Sequence, residues 1–219
     1  RGMNIRKFIG KPGIDIQGGA GVKIEGNFIG TDALGTSAAA NGTGIGMSSG
    51  TFAAIGNAAP AGRNLISGNS GTGIALTGAS GPTGTQIRNN YIGTDTTGAT
   101  ALANGGGGIL LNVPNTDVDG NFIRYNVGNG VKIVGIVGSS GGPANIHDND
   151  ILANTGNGIY LAGSECAPAG VSIRRNNIGF QFGLGIDLGD TLIGSARDTN
   201  LAVSTCFHGN GGQNYPVIT

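Results

Sequence analysis

Four residues able to carry charge or a proton recur at one place in a repeated phrase: Arg88 in "TQIRNN", Asp119 in "TDVDGN", His147 in "ANIHDND" and Arg174 in "VSIRRNN". Each follows an apolar residue (Ile87, Val118, Ile146, Ile173) and stands two positions before an asparagine. If those phrases stack, the four side chains form one column in which each touches the next, the best catalytic candidate in the chain. Two positions before them lie Gln86, Asp117, Asn145 and Ser172, and an earlier copy carries Lys23 with Glu25. Opposite charges in a column are also what cross-strand pairing favours, at about 0.2–1 kcal/mol per pair. Surface pairing is therefore the leading reading of the column and catalysis the alternative.

A second column accompanies the phrase Gly, Ile or Val, any residue, apolar: Asp15, Gly46, Ala75, Leu110, Lys132, Tyr160 and Asp187. Glycoside hydrolysis needs two carboxyl groups about 5 Å apart for retention or roughly 6.5–9.5 Å apart for inversion. Here Asp15 and Asp187 stand at opposite ends, which leaves Lys132 and Tyr160 as substrate-binding candidates. A Ser-His-Asp triad would require His147 or His208 near a strained Ser turn, and no helix follows the Gly-x-Gly dipeptides to make a phosphate loop. Cys166 and Cys206 lie too far apart, without clustered histidines, for a zinc site of ordinary spacing. "NGT" at Asn41 fits a glycan acceptor.

These columns exist only if the chain repeats. The Gly-Ile phrase recurs along the chain at Gly13, Gly44, Gly73, Gly108, Gly130, Gly158 and Gly185, and Asn-x-Ile falls between at Asn27, Asn64, Asn90, Asn121, Asn149 and Asn176. Short strands of period two cannot bury a face alone, but stacked coils place each inward Ile over the next. The repeat predicts an all-β parallel β-helix, a solenoid of about seven coils over residues 1–189, with an irregular C-terminal cap over 190–219. A cap would cover open strand edges. Asn27, Asn90, Asn121, Asn149 and Asn176 are expected to bond along the rod as a ladder, since an amide both donates and accepts. Tyr91, Phe28, Phe122, Phe180 and Phe182 are expected to plug corners or ends.

"GNFIGTDALG" at 26–35 and "NNYIGTDTTG" at 89–98 open the two longest connections and read as loop insertions. Gly30 and Gly93 would permit the turn, and Asp32 and Asp95 would accept amides two or three residues on. One carboxylate per loop is poor for calcium.

Composition narrows the function classes. Glycine supplies 46 of 219 residues without a collagen period, and 38% hydrophobic residues at regular intervals argue against disorder. Twelve basic residues balance twelve acidic ones, so nucleic acid and anionic membrane have no electrostatic footprint. No apolar run could span a bilayer and no signal peptide is visible; the opening "RGMNIRKFIG" reads as the middle of a strand, as in a processed protein or fragment. A Gly/Asn/Thr-rich, Lys-poor chain looks extracytoplasmic, which favours a Cys166–Cys206 disulfide contributing about 4 kcal/mol, with two free thiols as the alternative.

The stretches "GNFIGTDALGTSAAANGTGIGM", "AIGNAAPAGRNLISGNSGTGIAL" and "NNYIGTDTTGATALANGGGGILL", with "GIDLGD" and "GGQNYPVIT", resemble the right-handed parallel β-helix repeat family of secreted or surface bacterial proteins, with the pectin-lyase-like superfold. That superfold hosts lyases, hydrolases, epimerases, adhesins and rods, so fold alone does not select an activity. For the lyases, the resemblance implies His147 or Arg174 as base, Asp117 and Asp119 as ligands of a metal, and Arg88 as the group that binds the substrate acid. No cofactor is required, and calcium is the one these carboxylates could hold. The leading expectation is a surface module acting as spacer, adhesive or assembly subunit, partnered by other subunits or the rest of a larger protein. A lyase or hydrolase of acidic polysaccharide is the alternative.

Overall fold

In the computed structural model, residues 2–78, 83–134, 144–162 and 171–188 are described. Twenty short strands wind through three parallel sheets in strict rotation, making six full turns and two thirds of a seventh among the described residues. The first sheet stacks Asn4–Ile5, Phe28–Ile29, Leu65–Ile66, Tyr91–Ile92, Phe122–Arg124, Asp150–Leu152 and Asn177–Gly179. The second runs from Pro12–Ala20 through Thr43–Thr51, Ile74–Leu76, Ile109–Leu111, Val131–Val134 and Ile159–Ala162 to Ile186–Asp187. The third stacks Lys23–Ile24, Ala54–Ile55, Thr85–Arg88, Thr116–Asp119, Ala144–His147 and Val171–Arg174. One 3-10 turn, Pro60–Gly62, is the single helical element among the described residues.

Period two explains the strands and stacking explains their register. In the first sheet Ile29, Ile66, Ile92, Ile123 and Ile151 pair in succession, all fully buried. Ile55, Ile87, Val118 and Ile146 do the same in the third sheet. Each buried aliphatic side chain contributes roughly 1.5–3 kcal/mol, so repetition along the axis supplies a core that no single coil contains.

The glycine of the Gly-Ile phrase has a steric reason. A Cβ on Gly130 would lie 2.6 Å from Ile151 Cγ2 and 2.7 Å from the Gly158 carbonyl, and one on Gly158 would lie 2.5 Å from the Gly185 carbonyl. The backbones meet there with no room for a side chain.

Asparagine ladders occupy two corners. Between the third and first sheets, the side chains of Asn27, Asn64, Asn90, Asn121, Asn149 and Asn176 bond each to the next through Nδ2 and Oδ1 at 2.9–3.2 Å. Asn64 thus joins the five residues expected from sequence. Between the first and second sheets, Asn41, Asn69, Asn104, Asn126 and Asn154 form another ladder at 2.9–3.0 Å. Its members are at most 2% exposed. The Asn41 amide is therefore committed inside the rod, which removes "NGT" as an accessible glycan acceptor. Gln181 extends this ladder by accepting from the Asn154 backbone at 2.8 Å.

The duplicated Ile-Gly-Thr-Asp stretches are one structural part used twice. Antiparallel bridges Thr31 to Ala38 and Thr94 to Ala101 fold the two insertions alike, and the Thr96 amide donates to Gly35 O at 3.3 Å to stack one on the other. Gly30 and Gly93 have φ of 93° and 91°, and a Cβ on either would strike the neighbouring ladder asparagine. Beneath the loops lie Phe28, Leu65 and Tyr91, so these aromatics cover the first sheet; Phe180 and Phe182, at 87% and 85% exposure, plug nothing among the described residues. Cys166, Cys206 and the expected cap over 190–219 lie outside the described residues.

Candidate functional site

The third sheet aligns Arg88, Asp119, His147 and Arg174 as direct register partners on four successive coils. Val118 and Ile146 point into the core, so their neighbours Asp117, Asp119 and His147 must face outward. Gln86, Asp117, Asn145 and Ser172 form the parallel column beside them.

Side chains tie three of the four candidates together. Arg88 Nη2 donates to Asp117 Oδ2 at 2.8 Å, and its Nε lies 3.5 Å from Asp119 Oδ2. His147 Nε2 is 2.9 Å from Asp117 Oδ1, while Nδ1 is 2.7 Å from Asp148 Oδ2 and 3.5 Å from Asp119 Oδ1. Arg174 makes no ion pair among the described residues. Its neighbour Arg175 takes that place, donating from Nε and Nη2 to the two oxygens of Asp148 at 2.8 and 2.6 Å.

Asp148 and Arg175 were missed because they are turn residues. With φ of 56° and 52° they occupy the left-handed position before a ladder asparagine, where Gly26, Asn89 and Gly120 stand in other coils. Reading that position as its own column was the available signal. It brings the two side chains above one another on the rim of the charged strip.

Electrostatics follow from this packing. Burial of the His147 ring opposes its charge, but hydrogen bonds to Asp148 and Asp117 and the charges of Asp117 and Asp119 outweigh it and raise the pKa above the ordinary 6.5. Asp148 is pulled well below the usual carboxylate range by its bonds to Arg175 and His147, and Arg175 is raised in turn. In the inserted loops, Asp95 is lowered to about 2, first by the Thr97 hydroxyl and then, against desolvation, by the Thr100 and Thr97 amides. Asp32 is lowered chiefly by the Thr36 amide, desolvation opposing, with Ser37 adding to it. Both loop carboxylates are thus engaged by their own turns.

The remaining candidates are elsewhere. Lys132 and Tyr160 are register partners on the second sheet, with Lys132 Nζ 5.7 Å from the ring centroid, and are not joined to the charged column. On the first sheet, the Arg63 guanidinium lies 4.1 Å from the Tyr91 centroid, and Tyr91 meets Phe122 edge-on at 5.0 Å. Arg124 pairs with Asp150 beside them. Asp119, His147 and Asp148 each offer a ligand atom, and these atoms lie within 4.8 Å of one another.

No helix among the described residues is long and apolar enough to cross a membrane. Neither the curated proteins nor the solved structures contain a match. The model of the right handed beta helix region matches residues 39–202, most of the chain, and its handedness completes the description of the parallel solenoid. The chain belongs to the right-handed β-helix family.

Proposed function

We propose that this chain is a rigid extracytoplasmic solenoid module, a spacer, adhesive or assembly element without catalysis of its own. One observation carries the reading: Arg88, Asp117, Asp119 and His147 are closed on one another within the charged strip. Both His147 ring nitrogens are engaged by Asp117 and Asp148, and Arg88 is held by Asp117. A general base must be free to take a substrate proton, and a substrate-binding arginine must be free to meet an anion. Here His147 and Arg88 already have their partners, and of the four aligned residues only Arg174 has no ion pair among the described residues. The partners of the module are other subunits or further parts of a larger surface protein, with polysaccharide as an adhesive ligand. A cap formed by residues 190–219 and a Cys166–Cys206 bond belong to the same reading, as protection of an open solenoid end.

The second reading, a lyase or hydrolase of acidic polysaccharide, draws on the gathering of Arg88, Asp117, Asp119 and His147 over three coils. Incubation with acidic and neutral polysaccharides, with and without calcium, separates the two through unsaturated uronate absorbance and reducing ends. The scaffold reading expects no turnover, with binding or self-assembly intact by light scattering. Turnover abolished by His147→Ala would establish the enzyme.

A further inference from the structure

Overall neutrality conceals an uneven distribution of charge. Arg1, Arg6, Lys7 and Lys11 all precede the first acidic residue, Asp15, so cations and anions do not mix at this end of the chain. The fold gathers three of them in one connection. Between Asn4–Ile5 and Pro12–Ala20, Arg6, Lys7 and Lys11 are exposed and make no ion pair among the described residues. Phe8 and Ile9 stand among them at 52% and 89% exposure, although isoleucine is otherwise the main residue of the core.

The backbone builds in that exposure. Lys11 N–H donates to Phe8 O at 3.1 Å, closing a turn with Ile9 and Gly10 at its centre and Gly10 at φ 70°. Phe8 N–H donates to Asn41 Oδ1 at 3.1 Å, at the end of the second asparagine ladder, and Gly42 N–H donates to Phe8 O and Lys11 O at 2.9 and 2.8 Å. A turn pinned to the next coil in this way holds Ile9 off the core. Two carboxylates of the first two coils are engaged elsewhere: Asp32 accepts the Thr36 and Ser37 amides, and Asp15 accepts the Gln17 side chain.

We propose that this turn is a contact site for an anionic phospholipid bilayer, with Phe8 and Ile9 entering the interface and Arg6, Lys7 and Lys11 meeting the headgroup phosphates. Cations alone suit any acidic polymer. An exposed Ile beside an exposed Phe selects a partner with an apolar layer directly beneath its negative surface. The other exposed apolar group, Phe180, Phe182 and Leu184, has no Lys or Arg between Asn176 and Leu188 and lacks that pairing. Because the turn is already ordered, contact carries little ordering cost. The inference goes beyond the scaffold reading, which names no lipid surface, and does not depend on it.

The test uses the full 219-residue chain and flotation with phosphatidylcholine vesicles, with and without phosphatidylglycerol. Partition is expected on the anionic vesicles alone and falls as salt screens the headgroups. Lys7→Gln combined with Lys11→Gln lowers it about 25-fold, at about fivefold per charge. Ile9→Ser lowers it at least about fivefold. The chain has no tryptophan, so Ile9→Trp is a single reporter whose emission shifts to the blue on anionic vesicles and is quenched by brominated acyl chains. Soluble polygalacturonate, which offers charge without an apolar layer, produces no such shift. Circular dichroism confirms the fold of each variant, and Ile9→Ser, at a position 89% exposed, keeps the test open if the double variant does not fold. Absence of partition onto anionic vesicles overturns the proposal. So does partition that is equal on neutral vesicles, survives these substitutions or leaves the reporter unshifted. Binding to polygalacturonate without partition onto vesicles assigns the turn to an acidic polymer and overturns it as well.

Discussion

Asn126 Nδ2 donates to Asn154 Oδ1 at 3.0 Å, while Asn126 Oδ1 accepts from Asn104 Nδ2 at 2.9 Å. The same amide donates to Ile92 O and accepts the Asn104 backbone N–H, so one fully buried side chain serves three coils. Each stranded buried group costs about 1–3 kcal/mol. Asn126→Ala is expected to lose about 3 kcal/mol or more in urea unfolding. Asn177→Ala, exposed on the first sheet, should stay within about 0.5 kcal/mol.

Glycine-to-alanine substitution should change sign with position. At Gly130 the new methyl meets Ile151 and the Gly158 carbonyl, and overpacking costs about 1–3 kcal/mol. Gly18 has nothing within 4 Å of an added Cβ and no positive φ, so alanine there is neutral or stabilises by up to about 1 kcal/mol. Thermal and urea midpoints of the two variants decide the matter.

The His147 network predicts a pH dependence of stability. A folded pKa above 6.5 means that the stabilisation is fully present below 6.5 and is lost as pH rises through the folded value. Wild type minus His147→Gln, compared by urea midpoints, should therefore shrink on the alkaline side. Asp148 has the opposite sign: its contribution is present above 3.8 and disappears only as strong acid reaches its lowered pKa. A difference that grew with rising pH would contradict the His147 assignment.

The two arginines of the aligned column should not be equivalent. Arg88→Met removes the partner of Asp117 and is expected to cost about 1 kcal/mol, less at high salt. Arg174→Met should stay within about 0.5 kcal/mol. Equal effects in urea titrations at low and high salt would contradict the pairing seen here.

By itself the sequence determined the solenoid, because period-two Ile and Val positions separated by recurrent Gly and Asn phrases can bury a face only by stacking. It also determined the register of Arg88, Asp119, His147 and Arg174, since an inward apolar residue fixes the direction of its neighbour. The second ladder was equally present, as an asparagine three or four residues before Gly44, Gly73, Gly108, Gly130 and Gly158, but the variable connections masked it. Tertiary structure alone decided that Arg175 rather than Arg174 meets Asp148 and that His147 spans two carboxylates of the neighbouring coil. Those contacts depend on left-handed turn residues and on side-chain reach between coils, which a period along one strand does not encode.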